Sequence, residues 1–214
     1  MRTHWLSATL LISTSFCFGQ SVAIGVKSGL PATTDISGDA VSESKRYTIG
    51  PILDVGLLLG FGAEVDALYQ REGFRTSFSN FAGGSDSRER ANSWQFPILL
   101  KYRLPFPVVK PYVAVGYAWR VIRGTEDTNG YSIDLETGQI TSGRTHLNTN
   151  WNTGGGVVVG GGVQFGVGSL RLSPELRYTR WTNAAINVFG PGGYAYQSAS
   201  NQVDVLVGLG WKIH

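Results

Sequence analysis

The chain has 214 residues, of which 15% are charged, and its formal net charge is +3. A typical soluble domain carries about 25% charged residues, and a surplus of three charges without a basic run argues against nucleic-acid binding. The length and the 29 glycines suit one all-β domain.

The first twenty residues, MRTHWLSATLLISTSFCFGQ, have the form of a secretory signal peptide. Arg2 supplies the positive charge, segment 6–18 is mostly apolar, and Cys17 and Gly19 stand at the −3 and −1 positions of a cut before Gln20. The apolar segment is too short to cross a membrane as a helix. We therefore predict a signal peptide over 1–19, whose removal takes away the only cysteine.

Alternation of apolar and polar residues with a period of two dominates the rest of the chain and predicts eight strands. One face of each segment is continuously apolar, and the other carries glycine, small residues and charges. In a membrane barrel the large apolar residues face lipid and the polar set lines a narrow interior. We predict an all-β, eight-stranded antiparallel up-and-down transmembrane β-barrel over residues 20–214. Its strand segments are 21–30, 47–59, 61–70, 93–103, 113–121, 151–165, 170–178 and 202–213.

Short and long links alternate between these segments, as expected of a barrel with short periplasmic turns and longer extracellular loops. The short links are residue 60, 104–110 and 166–169, and the long links are 31–46, 74–91, 122–150 and 183–201. Proline removes a ladder donor, so we expect bulges or shortened strands at Pro51, Pro97 and Pro174.

Aromatic residues of the apolar faces cluster at the two ends of the strands, which predicts a girdle at each membrane interface. The periplasmic girdle comprises Phe61, Tyr102, Phe165 and Trp211, and the outer one Tyr47, Tyr69, Trp94, Trp119, Trp151 and Tyr178.

Three segments resemble the outer-membrane β-barrel domain family, the OmpA/OmpX-like, porin-like set of eight-stranded barrels: KPYVAVGYAW (110–119), RLSPELRYTRW (171–181) and the closing VDVLVGLGWKIH. The resemblance implies a place in the outer membrane of a Gram-negative bacterium. It also implies recognition of the last strand by the barrel-insertion machinery. That family commonly ends in an aromatic residue, whereas this chain ends in Trp211-Lys212-Ile213-His214.

Charged residues on the inward phase form the candidate site. Because buried charges must be paired or hydrated, we expect a salt-bridge network that fills the lumen, with an ion path as the alternative. The set is Glu64, Asp66, Lys101, Arg103, Arg120, Arg171, Glu175, Arg177, Asp204 and Lys212.

His146 is the candidate for catalysis, since a lipid-modifying barrel enzyme needs a general base oriented by a carboxylate. Asp134 and Glu136 precede it, but the spacing matches no catalytic motif, so we expect a solvated histidine and no enzyme. Glu126 and Asp127 could add oxygen ligands for calcium, but the order lacks EF-hand spacing. We predict no metal and no cofactor.

The long links, rich in small polar residues, are the natural interaction surface. Their aromatic residues are Phe74, Phe78, Phe81, Tyr131, Tyr194 and Tyr196. We expect a monomer surrounded by outer-membrane lipid that binds an extracellular protein or glycan through these loops. The alternatives are a lipid-modifying enzyme using His146 and a soluble periplasmic calyx for a small apolar ligand.

Overall fold

The computed structural model describes residues 21–33, 36–38, 41–182, 187–189 and 195–213. The predicted signal peptide lies outside them. None of the helices in the described part of the chain is long and apolar enough to span a membrane. The strands are β1 (Ser21–Pro31), β2 (Ile36–Gly38), β3 (Val41–Ser42), β4 (Lys45–Gly56), β5 (Phe61–Asp66), β6 (Leu68–Asn80), β7 (Gly83–Arg103), β8 (Val109–Ile133), β9 (Ile140–Val167), β10 (Leu170–Trp181), β11 (Asn187–Phe189), β12 (Ala195–Ser198) and β13 (Asn201–Ile213).

Eight antiparallel strands, counting β5 and β6 as one, close into a barrel. This confirms the predicted fold class. β1 pairs with β13 on one side and with β4 on the other, and the ring continues through β5 and β6, β7, β8, β9 and β10. β5 and β6 form one strand of the wall that is interrupted at Ala67. Closure matters because it pairs the backbone around the whole ring, as the hydrocarbon of a membrane requires.

The two faces of the wall divide as the alternation predicts. Val26, Ile98 and Leu176 point outward and are about half exposed, whereas their sequence neighbours Lys27 and Leu99 are buried inside. An apolar outer face and a polar interior are the arrangement of a membrane barrel, the reverse of a soluble calyx.

Short links lie at one end of the barrel, the short-turn end, as predicted. The first of them comprises residues 57–60 rather than residue 60 alone, because β4 ends at Gly56 and not at residue 59. A single 3₁₀ turn (Leu58–Gly60) joins β4 to β5, with Leu59 and Gly60 at φ 59° and 84°. Gly168, at φ 61°, opens the turn from β9 to β10. Glycine adopts this left-handed conformation without a steric penalty.

Two of the predicted long loops are wrong, because the segments 74–91 and 122–150 are mostly strand. β6 and β7 remain paired up to Asn80 and Gly83, and β8 and β9 up to Ile133 and Ile140. Both hairpins keep the two-residue alternation, but their outer faces are polar rather than apolar. The links 31–46 and 183–201 lie partly outside the described residues, and β2, β11 and β12 within them form a small sheet.

The prolines interrupt the ladder without shifting it. Pro51 and Pro97 lie on the strands flanking Ala67, and the pairing beyond the gap keeps the register it had before. Pro174 leaves the same kind of gap between β10 and β9. The register shifts lie elsewhere, between Lys45 and Thr48 and between Arg120 and Ile122.

Outward aromatic rings contact one another at both predicted girdles. Phe61 and Tyr102 have ring centroids 5.0 Å apart at the short-turn end. At the opposite end Tyr69 lies 5.3 Å from Trp94 and 6.4 Å from Tyr47. The side chain of Trp151 lies outside the described residues.

Candidate functional site

Charged side chains gather at mid-height in the lumen because glycine stands beside them on the neighbouring strands. Lys27 lies opposite Gly50 and Gly208, and Lys101 lies opposite Gly62. Glu175 and Arg177 likewise face Gly162 and Gly160. An eight-stranded barrel has barely enough interior for its side chains, so the glycines leave the volume that long charged groups need.

The central cluster consists of Lys27, Glu64, Asp66, Lys101, Glu175 and Arg177, all almost completely buried. Lys27 Nζ donates to Glu64 Oε1 at 2.6 Å and to Glu175 Oε2 at 2.9 Å. Arg177 bonds to Glu175 Oε1 through Nε at 2.7 Å and to Asp66 Oδ2 through Nη1 at 2.8 Å. Lys101 Nζ donates to Glu64 Oε2. Three cations meet three carboxylates, so the cluster is neutral.

A smaller group lies between the central cluster and the short-turn end. Arg103 donates to Asp54 and, at 3.0 Å, to Gln164 Oε1. Arg171 Nη1 lies 3.6 Å from the second oxygen of Asp54. Arg103, Arg171 and the half-buried Lys212 line a cavity of about 480 Å³ that opens at this end.

A third group lies toward the hairpin end. The Arg120 guanidinium lies 4.4 Å from the Trp181 ring centroid, and Trp181 Nε1 donates to Gln202 Oε1 at 3.0 Å. The amide nitrogen of Gln202 donates in turn to Asp204 at 3.0 Å. Gln95 Nε2 reaches Gln202 Oε1 at 3.3 Å, so amides and charges fill this level too.

All ten inward charges named from the sequence lie on the inner wall, divided among these three groups and the rim. Sequence reasoning missed Lys27 and Asp54, which the structure places among them. The two-residue alternation already indicated that both point inward. Lys27 is in phase with Ala23 and Gly25, and Asp54 stands between two outward apolar residues.

His146 lies on β9 in the hairpin with β8, not in a loop, and its side chain is 58% exposed. Its Nδ1 lies 2.7 Å from Asp127 Oδ1, so the orienting carboxylate is neither Asp134 nor Glu136. This hydrogen bond holds the pKa of the Asp127 carboxyl below its usual value, with a smaller contribution from Arg144. Among the described residues no hydroxyl is hydrogen-bonded to the imidazole.

The acidic residues considered for calcium accept hydrogen bonds from different protein groups and do not converge on one point. Glu126 Oε1 accepts from Ser87 at 2.9 Å and from Thr128 at 3.0 Å. Asp134 accepts from the backbone N–H groups of Glu136 and Thr137, which lower the pKa of its carboxyl and close the turn. Over the described ranges no group of three or more His, Cys, Asp or Glu side chains could hold a metal ion.

The aromatic residues named in the loops have different positions. Phe74 is 1% exposed and points inward at the base of the β6–β7 hairpin, so it is not available for contact. Phe81 and Tyr131 are exposed at the hairpin tips, and Phe78 is half-buried. The side chains of Tyr194 and Tyr196 lie outside the described residues.

Comparisons with known proteins agree with this architecture. Residues 18–180 match the model of a family described as outer membrane protein beta-barrel domain. A search of curated protein sequences finds no match. OprG from Pseudomonas aeruginosa is 13% identical, with a TM-score of 0.52 over 92% of this chain and 96% of that one.

Two further solved structures align over most of their length. Ail of Yersinia pestis, crystallised with the heparin analogue sucrose octasulfate, is 12% identical with a TM-score of 0.43, covering 91% of this chain and 97% of that one. Neisserial surface protein A is 13% identical with a TM-score of 0.41, covering 91% and 99%. At these identities, the likeness to OprG is one of fold alone.

Proposed function

The chain belongs to the outer membrane protein beta-barrel domain family, and from that premise we propose that it is a non-catalytic barrel whose projecting hairpins bind an extracellular protein or glycan. The protein is an outer-membrane barrel. Its short-turn end faces the periplasm and its long hairpins face outward, the arrangement of such barrels.

The pairing of β6, β7, β8 and β9 beyond the outer girdle carries this proposal. Gly83 at the tip of one hairpin pairs with Asn80 and also with Ser132 of the next. From Trp119 in the girdle to Ile133, the chain runs for fourteen residues, roughly 46 Å along the strand at about 3.3 Å per residue. The hairpins are therefore one continuous sheet with a fixed shape, as a recognition surface requires.

The lumen supports a role without transport. Its central cluster is almost completely buried and internally neutral, and each of its cations bonds to a carboxylate. An ion that crossed would have to break these pairs, each costly to separate in a buried site. The same polar filling argues against an apolar ligand inside, the soluble-calyx alternative.

The enzyme alternative has one observation in its favour, the bond between His146 and Asp127. A base–carboxylate pair also needs a nucleophile or a bound water on the other ring nitrogen. Replacing His146 with Ala and comparing the lipid A mass profile of the cells tests it. We expect an unchanged profile at equal protein level, and a lost acylation or deacylation product would establish catalysis.

Shortening both hairpins to the same height tests the interaction surface. Residues 74–89 and 125–148 are each replaced by Asn-Gly, which forms the two-residue turn that hairpins favour. The new ends, Gly73, Arg90, Gly124 and Thr149, are already paired neighbours. Heat-modifiable gel migration verifies the fold, and a second variant with Phe81 and Tyr131 changed to Ser leaves the sheet intact.

Adhesion of cells carrying each protein is measured on wells coated with fibronectin, laminin or heparin. We expect the full-length barrel to adhere to at least one coating and both variants to lose at least half of that adhesion. Adhesion that equals that of cells without the barrel on all three coatings, or that survives shortening, would overturn the proposal.

A further inference from the structure

Three arginines form a lateral row on the outer surface just above the outer aromatic girdle. Arg71 pairs with Asn92 across β6 and β7, and Asn92 pairs with Arg123 across β7 and β8. Arg90 lies two residues along β7 from Asn92, on the same face. All three arginine side chains are exposed. Adjacent strands are about 4.8 Å apart, so the row spans roughly 10 Å.

These arginines differ from those further up the hairpins in how their charge is balanced. Arg75 and Arg88 are each ion-paired, with Asp86 at 3.0 Å and with Glu43 at 2.6 Å. Within the described part of the chain, none of Arg71, Arg90 and Arg123 lies within ion-pair distance of a carboxylate. Asp127 attracts Arg90 only at longer range. The lower row therefore presents three guanidinium groups with no carboxylate in direct contact at the level where lipid headgroups meet the barrel.

Two grooves join at this row. The upper one, about 360 Å³, is lined by the three arginines with Ala91, Asn92, Gly124 and Thr125. The lower one, about 590 Å³, is lined by Tyr69, Asn92, Trp94, Phe96, Val121 and Arg123. Tyr69 Oη donates to Asn92 Oδ1 at 2.7 Å and fixes one of the two side chains that both grooves share, the other being that of Arg123. A basic groove thus continues directly into an aromatic one on the lipid-facing wall.

We propose that this surface binds the phosphorylated headgroup of lipid A, with phosphates against Arg71, Arg90 and Arg123 and an acyl chain along Trp94 and Phe96. Guanidinium groups bind phosphate oxygens through paired hydrogen bonds. Three of them within about 10 Å suit a glycolipid with two phosphates better than a phospholipid with one. The aromatic groove below supplies the apolar contact that a free phosphate would not use.

The proposal goes beyond the role of the hairpin tips and is tested separately. Purified barrel, refolded in detergent without lipopolysaccharide, is titrated with bis-phosphorylated lipid A, with dephosphorylated lipid A and with phosphatidylglycerol, following tryptophan fluorescence. We expect the bis-phosphorylated form to bind at least tenfold more tightly than either of the others. Equal affinity for phosphatidylglycerol would overturn the assignment to lipid A.

Matched variants locate the site. The variant R71Q/R90Q/R123Q is expected to lose at least tenfold in affinity for bis-phosphorylated lipid A. The control R75Q/R88Q/R144Q removes three charges from the same outer face and is expected to stay within twofold of the unmodified protein. An equal loss in the control would show non-specific attraction and refute the site. Heat-modifiable migration verifies each fold, and the single variants replace any triple variant that fails it.

Discussion

Replacing Glu64 with Gln tests whether the central cluster stabilises the barrel. Its carboxylate lies 2.6 Å from Lys27 Nζ and 3.3 Å from Arg177 Nη2, and it also accepts from Lys101. The substitution keeps the shape but leaves three cations with two carboxylates among side chains that are almost completely buried. Removing one partner of a buried pair costs about 3–5 kcal/mol. We expect a loss of that size in the free energy of unfolding.

The measurement is urea unfolding of the barrel in lipid vesicles, followed by tryptophan fluorescence and by heat-modifiable migration. With a denaturant dependence of about 2 kcal/mol per M, such a loss lowers the urea midpoint by roughly 2 M. Adding Lys101→Met to Glu64→Gln restores neutrality, so the double variant should recover at least half of the loss.

An exposed pair provides the control. Glu43 and Arg88 are ion-paired on the outer face, where their side chains are 28% and 51% exposed. Glu43→Gln makes the same chemical change and should cost less than about 1 kcal/mol. A cost of Glu64→Gln no larger than that of this control, or a double variant less stable than Glu64→Gln alone, would show that the central cluster does not stabilise the barrel through its ion pairs.

Three further predictions concern the hairpins, the outer wall and the lumen. The Asp127 carboxyl has a lowered pKa because of its bond to His146, so the stability that it contributes is present above pH of about 4 and is lost as the pH falls through the lowered value. In a carbon-13 titration, His146→Ala should therefore move the Asp127 midpoint upward, and an unmoved midpoint would contradict the assignment. The Tyr117 hydroxyl occupies the place where a Cβ on Gly155 would stand. Gly155→Val should thus lower the free energy of unfolding by about 1–3 kcal/mol, whereas Gly143→Ala, with open space around it, should change it by less than about 0.5 kcal/mol. In planar bilayers the purified barrel should give no discrete conductance steps, and regular steps would mean that the lumen opens.

The sequence was sufficient to predict the strands and their orientation because lipid and lumen impose opposite chemistry on alternate residues. Val26 and Lys27 are adjacent in the chain and lie on opposite sides of the wall. That contrast fades where a sheet leaves the membrane and water lies against its outer face. The strands from Phe74 to Ala91 kept their period but lost the apolar signal, and they were predicted as a loop.

The pairing inside the lumen could not be derived from the sequence. Glu64 and Arg177 are 113 residues apart, and their contact depends on the tilt and stagger of strands on opposite walls. The alternation indicates that both point inward but not at which height they meet. For the same reason, the sequence indicated the aromatic girdle but not that Arg71 and Arg123 would lie at one level above it.

The gap in the wall at Ala67 coincides in height with the central cluster. Pro51 and Pro97 have no N–H to donate there, so each leaves one ladder hydrogen bond unmade, although the Ala67 N–H still donates to the Pro51 carbonyl at 3.0 Å. Asp66, next to the gap, is bonded across the lumen to Arg177 on β10. The interrupted strand is thus bonded across the lumen to the opposite side of the barrel. Breaking the ion pairs of the central cluster should therefore speed up amide hydrogen exchange around the gap. The wall and the charged side chains inside it should open as one cooperative unit.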